Sequence, residues 1–304
     1  AVAAELVGPA IVLATGLAAL VATCNGLSSA QLAAAHPVSG GTYEYGHRYV
    51  HPLAGFSAGW MFLLAKGASA ATAALGCCGY LVHALGLNEG VWIRWAAAPG
   101  LVLVMTALVA SGIRRSNAIN VVIVSVTLAA LGLFVALGLS EGLAGNTIGA
   151  PRQMFGAIEG PGPLLHAVAL MFVAYAGYGR IATLGEEVRE PRRTIPKAIV
   201  ATLGVSMVLY VSVAVVAVSV AAVGFSIDRG AAAAPLEQVA SQLDAAFVAP
   251  IVAGAAVTAM LGVLLNLLLG LSRVVLAMAR RAEMPTLLAR VDERTKSPEG
   301  AVWL

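Results

Sequence analysis

The sequence predicts an all-α membrane protein, and three features carry that prediction. Charge is scarce: 60% of the 304 residues are hydrophobic and 11% are charged, where a soluble domain carries roughly 25% charged residues. The charges are also clustered, which leaves runs of the roughly 20 apolar residues that a bilayer requires. The basic residues, finally, alternate between the two ends of successive runs. Lipid offers the backbone no hydrogen-bond partners, so runs of this length and composition are read as helices.

Seven spans follow in order: 6–35, 53–85, 95–113, 117–140, 163–184, 198–224 and 245–279. The first, sixth and seventh exceed the bilayer's need, which predicts tilt or extension beyond the lipid. Glycine is abundant, 33 of 304 residues, and several lie within the spans, where small residues let helices approach closely. A signal peptide does not fit the start, because Glu5 stands where a basic head belongs and the apolar run is too long.

Orientation comes from Lys and Arg. Side A, which carries the 36–52 loop, holds Arg48, Arg114, Arg115, Arg189, Arg192, Arg193, Lys197, Arg280, Arg281, Arg290, Arg294 and Lys296. The opposite side holds Arg94, Arg152 and Arg229. Twelve against three makes side A cytoplasmic by the positive-inside rule, with loops 36–52, 114–117, 185–197 and 280–300 on it. The formal net charge of +3 is therefore a topology signal, and no nucleic-acid partner is implied.

The richest segment is FVAYAGYGRIATLGEEVREPRRTIP, residues 172–196. A membrane-length run meets Gly177-Tyr178-Gly179, restarts with Arg180 at its head, and enters a charged stretch punctuated by Pro191 and Pro196. Two glycines flanking one residue weaken a helix. An opened helix inside a bilayer is tolerated only where it lines a protein-enclosed cavity, which makes such a break a pointer to a binding site. Close packing is the alternative reading of the glycines. Arg180 favours the break, since a charge within a span usually faces a cavity or a partner.

Two further segments stand out: HPVSGGTYEYGHRYVHPLAGFSAGW, residues 36–60, and VLLNLLLGLSRVVLAMARRAEMP, residues 263–285. Together with 172–196, these closely resemble amino acid permeases of the amino acid–polyamine–organocation superfamily, in the same order and at matching spacing. The 172–196 segment looks nearest to the basic amino acid/polyamine antiporters. The permeases usually have Glu-Leu before the Pro-x-Ser-Gly-Gly-x-Tyr-x-Tyr segment, where this chain has Gln31-Leu32. The resemblance implies a partial LeuT-type inverted-repeat helix bundle. It also implies a single transporter domain over 1–304, a fragment covering the family's second to eighth helices and truncated at both ends.

The resemblance further implies secondary transport of amino acids, or of related amines such as polyamines, by alternating access. The substrate's amino group would meet carbonyls of an unwound stretch, Ala176, Gly177, Tyr178 and Gly179, with Val173 and Tyr175 one turn before. Asn266, mid-span, reads either as a substrate contact or as polar glue between helices. Arg180, Glu186, Glu187 and Arg273 are candidates for gating, the glutamates as partners of Arg273. Thr127 stands where some proton-coupled relatives carry lysine. A hydroxyl does not exchange a proton at physiological pH, so exchange against an ion or a second amino acid stays open. Many permeases have an acidic residue where Gly179 stands.

Other functional classes fit the sequence less well. Gly177-Tyr178-Gly179 echoes a potassium-channel filter, but it lies deep in a full-length run rather than on a re-entrant loop. A non-transporting membrane scaffold is the second alternative. An intramembrane enzyme would need a catalytic constellation, and His-Glu-x-x-His, paired aspartates and Gly-x-Ser-x-Gly are missing from the sequence. No cofactor pattern is found. His47 and His51, four apart, could share a helical face, but no third metal ligand stands nearby. Cys24, Cys77 and Cys78 lie in apolar runs, where a small hydrophobic role is the default. Lys66, inside the second span, either snorkels to side A or faces a cavity.

Overall fold

A computed structural model of the chain describes residues 2–84, 91–144, 160–186, 188–221, 235–243, 245, 247–292 and 297–304. The described residues are helical almost throughout. The helices are α1 (Val2–Val7), α2 (Ile11–Ala35), α3 (Thr42–Tyr49), α4 (Pro52–Ala84), α5 (Val91–Ala110) and α6 (Ile113–Ala144), then α7 (Pro161–Tyr175), α8 (Pro191–Ala221), α9 (Pro235–Ala240), α10 (Val248–Arg280) and α11 (Glu299–Trp303). Four of them open on proline, whose missing N–H costs nothing at the first helical position and whose fixed φ suits the helix.

Six helical stretches are long and apolar enough to cross a membrane: Val2–Ala35, Pro52–Val82, Ser116–Gly142, Pro161–Thr183, Pro191–Val220 and Val248–Arg280. A seventh, Ala96–Ala110 within α5, is shorter and contains Pro99. Their outward faces stay apolar, with Val104, Val122, Leu165 and Val208 each at least 63% exposed. That composition suits lipid as the surrounding medium.

Each segment expected as a loop is partly or wholly helical: residues 114–117 lie inside α6, and 280–300 include a 3₁₀ turn over Thr286–Ala289 and the start of α11. Residues 42–49 form α3, after a turn in which Gly40 and Gly41 take φ of 115° and 55°, a region that side chains with a Cβ avoid. Residues 191–197 are the first turns of α8 rather than loop. Glu190 accepts from the N–H groups of both Arg193 and Thr194 at 3.0 Å, which starts the helix at Pro191. Arg152, Arg229, Arg294 and Lys296 lie outside the described residues.

The chain divides into two compact units, Ala1–Leu27 with Thr127–Tyr178 and Val200–Ala255, and Ser28–Val126 with Gly179–Ile199 and Ala256–Leu304. In the first, Ala3 and Val7 of α1, Ala10 of the turn that follows and Ala14 of α2 pack with Ala167 of α7. A second core joins Phe134, Val216, Val239, Leu243, Val248 and Val252. Gly138 meets Val216 so closely that a Cβ there would overlap its side chain.

In the other unit, Ala70, Ala74 and Cys78 of α4 pack with Ala98, Met105 and Val109 of α5, Leu264, Leu265 and Leu269 of α10, and Val302 of α11. Alanine and cysteine on α4 face larger residues opposite, the alternation that close packing requires. Gly46 of α3 and Gly55 of α4 touch backbone to backbone: a Cβ on Gly46 would lie 2.6 Å from the Gly55 Cα. The α3–α4 elbow is therefore fixed by glycine spacing.

Candidate functional site

The α7 helix ends at Tyr175 and continues as a 3₁₀ helix over Ala176–Thr183. Ala176 takes φ −67°, ψ 6°, and its N–H donates to both the Phe172 and Val173 carbonyls, so the helix tightens from i→i−4 to i→i−3 bonding at this residue. The expected unwound backbone is thus corrected to a tightened one. A 3₁₀ helix bonds its N–H groups within the segment, which opened chain in a membrane would forfeit. Eight residues is long for this helix type, which usually closes the C-terminal end of an α-helix with only about three or four residues.

The glycines there do not serve close packing. A Cβ on Gly177 or on Gly179 would meet nothing within 4 Å. Gly177 is exposed, as is Val173 at 64%, one turn before it, so the two share an open helical face. At its far end the 3₁₀ segment is anchored. The Thr183 hydroxyl donates to the Arg180 carbonyl at 2.8 Å, Leu184 bridges to Ser39, and Gly185 lies against the Pro37 backbone, where a Cβ would come within 2.6 Å.

In the first unit, the Tyr175 ring is buried, 3% exposed, with its centroid 5.0 Å from that of Tyr210. Its hydroxyl has no hydrogen-bond partner among the described residues. Tyr178, also buried, is hydrogen-bonded to the Asn25 side chain of α2. Thr127 is half-buried on α6; Lys66, which belongs to the second unit, is half-buried on α4.

In the second unit, Arg180, Asn266 and Asn120 form a chain. The Arg180 guanidinium donates to Asn266 Oδ1 at 2.5 Å, and Asn266 Nδ2 donates to Asn120 Oδ1 at 2.7 Å. The Arg180 stem lies across α10 at Gly270, where a Cβ would come within 3.1 Å of its Cγ. Asn266 is therefore the hinge of a polar relay from the 3₁₀ segment through α10 to α6. Asn120, Asn25 and Tyr210 escaped the sequence reading, although a lone amide in an apolar run was a signal for the first two.

At the side-A end of the same unit, carboxylates meet cations. Arg280 Nη1 donates to both Glu186 oxygens at 2.9 and 3.0 Å, and the Ser39 N–H donates to Glu186 Oε1 at 3.3 Å. Arg281 Nε and Nη2 donate to the two oxygens of Glu44 at 3.0 and 2.7 Å. The Tyr43 hydroxyl donates to Glu283 Oε2 at 2.7 Å, and His47 Nε2 lies 3.1 Å from Glu283 Oε1. Burial first, then the bond to Glu283, raises the Tyr43 hydroxyl above its ordinary pKa, which keeps it a donor. Glu44, Glu186, Arg280 and Arg281 of this cluster line a cavity of about 570 Å³ together with His36 and Arg48 among others.

Glu186 is thus taken by Arg280, a partner that the sequence reading did not anticipate. Arg273 is buried, 2% exposed, and Glu187 lies outside the described residues. His47 and His51 turn to different partners, since His51 Nδ1 accepts from the Leu53 N–H at 3.2 Å.

A family model described as "Amino acid permease" matches residues 1–304. An uncharacterized transporter of Mycobacterium tuberculosis is 40% identical over 304 residues, covering 97% of this chain and 64% of its own length. A methylthioribose transporter of Bacillus subtilis is 28% identical, covering 100% of this chain and 67% of itself. A branched-chain amino acid permease of the same organism is 29% identical, covering 97% and 65% respectively. The chain thus spans 64 to 67% of the lengths of these relatives.

Proposed function

Because the chain belongs to the amino acid permease family, we propose that the protein performs secondary active transport of amino acids, or of related amines, across the cytoplasmic membrane. Transport proceeds by alternating access in a LeuT-type bundle, with side A cytoplasmic. The observation that carries this reading is the change of helix type at Tyr175–Ala176 beside two glycines with open space about them. Discontinuous helices of this kind supply substrate sites near the membrane midplane and act as hinges.

Tyr175, Ala176, Gly177, Tyr178 and Gly179 then meet the substrate, with Val173 on the same open face as Gly177 and Asn266 orienting its polar surroundings. A 3₁₀ stretch can exchange its i→i−3 bonds for bonds to a ligand at small cost, which suits a carbonyl-lined site. Thr127, Arg180, Glu186, Glu187 and Arg273 serve gating and coupling. The Glu186–Arg280 and Glu44–Arg281 pairs act as a side-A latch that must part when the site opens to that side. A counter-transported amino acid fits a chain whose Thr127 hydroxyl carries no exchangeable charge.

The test is uptake into proteoliposomes by the protein and by its Gly177→Leu variant, across a panel of amino acids with and without a pH gradient. Leucine at 177 fills the open face and is expected to abolish uptake while membrane insertion persists. Undiminished uptake by the variant refutes the assignment of the site. Ohmic ion flux without saturable exchange would make the protein a channel instead.

A further inference from the structure

We propose that Arg180 forms an anion-receiving site that takes a ligand carboxylate and disfavours ligands of net positive charge, lysine, arginine and polyamines among them. The proposal rests on the transport reading above and narrows its substrate class. Arg180 lies inside a membrane-length segment, Pro161–Thr183, where a charge is costly and is retained for a reason. Among the described residues, its guanidinium has one hydrogen-bond acceptor, the neutral amide oxygen of Asn266, and no carboxylate pairs with it.

An amide orients a guanidinium without neutralising it. Asn120 fixes Asn266 by accepting from its Nδ2, which turns the Asn266 oxygen toward Arg180. Gly270 lets the arginine stem lie flat on α10. The side chain is therefore held by Asn266 and by α10 at Gly270, while four of its five N–H donors have no acceptor among the described residues. A planar fork of donors matches a carboxylate in bidentate geometry. Room is present at the adjoining Gly179, where a Cβ would meet nothing within 4 Å. A structural arginine in the same place would need a carboxylate partner to offset its desolvation.

A fixed cation within several ångströms of a ligand's charged end changes affinity by about 10- to 100-fold at protein-like dielectric. Purified protein is titrated with glutamate, leucine, lysine and putrescine, with ligand-dependent thermal stabilisation as the readout, alongside uptake of the same compounds. Glutamate or leucine is expected to bind at least about 10-fold more tightly than lysine or putrescine. Arg180→Gln is expected to bring the compounds to within about threefold of one another, and Arg180→Lys to restore their order. The ligand-free unfolding midpoint of each variant shows whether it folds.

Tighter binding of lysine or putrescine by the wild type overturns the proposal, as does an unchanged ranking in a folded Arg180→Gln variant. Failure of every compound to bind the folded wild type overturns it too. Charge-selective binding without uptake would leave this site standing and remove the transport reading.

Discussion

Arg281 and Glu44 form a two-point ion pair, both guanidinium donors meeting both carboxylate oxygens at 3.0 and 2.7 Å. The pair ties the end of α10 to α3 across 237 positions of sequence. Glu44 is the buried partner, 8% exposed, and its hydrogen bond is the first cause of the raised Arg281 pKa. Glu44→Ala is expected to destabilise the protein by about 1–2 kcal/mol, less than a buried pair would lose because Arg281 remains partly solvated. Thermal unfolding of the purified protein measures this. Indifference to the change would mean that the latch contributes nothing in solution.

The glycine contact between α3 and α4 predicts a contrast. Gly46→Ala drives a methyl into the Gly55 backbone, at 2.6 Å, and no flexible side chain is there to yield. A loss of about 2–3 kcal/mol is expected, as for overpacking against backbone. Gly67→Ala, on the same helix as Gly55 but with nothing within 4 Å, should be neutral or gain up to about 1 kcal/mol from helix propensity. Equal effects of the two substitutions would contradict the elbow geometry.

Tyr43 and Tyr45, two residues apart, are expected to respond oppositely to loss of the hydroxyl. Tyr43 donates to Glu283 at 2.7 Å, so Tyr43→Phe should cost about 1–2 kcal/mol. The buried Tyr45 hydroxyl has no partner among the described residues, so Tyr45→Phe should be neutral or stabilising. Both hydroxyls are raised mainly by burial, Tyr45 to about 12. A raised folded pKa means that the native state holds its proton more tightly than the unfolded chain. The resulting stability is whole below about pH 10 and is lost as pH rises toward 12. Alkaline unfolding between those limits should be shallower in either phenylalanine variant, as equilibrium denaturation against pH would show.

The Arg180–Asn266–Asn120 relay predicts non-additivity. Asn266→Leu removes the acceptor of Arg180 and strands the charge, at a cost of about 3 kcal/mol or more. Asn120→Ala frees Asn266 to reorient and should cost about 1 kcal/mol. In the double variant the second loss should largely vanish, because the relay is already cut. A double-mutant cycle on unfolding free energy checks the coupling, and simple additivity would argue against a connected chain.

Much of this architecture could be read before any coordinates. Scarce, clustered charge marks the membrane helices, and Pro52, Pro161 and Pro191 mark where three of them begin. The helix discontinuity is visible as Gly177-Tyr178-Gly179, yet its form is not. Glycine spacing says that a helix is weak there, whereas the choice between opened chain and 3₁₀ helix depends on what the neighbouring backbone can bond. The segments 42–49 and 191–197 looked like loops because their charge masks a helix that proline and glycine turns initiate.

Sequence by itself determined the all-α membrane class, the family and the place of the discontinuity, since these depend on composition, local propensity and spacing along one chain. Tertiary structure alone decided the partners: Arg180 with Asn266, Asn266 with Asn120, Glu186 with Arg280, Glu44 with Arg281. Each pair is separated by 86 or more positions. A helix turns by about 100° per residue, so which side chains meet depends on how helical faces are rotated against one another. Packing sets that rotation, through contacts such as Gly46 on Gly55 and Arg180 on Gly270.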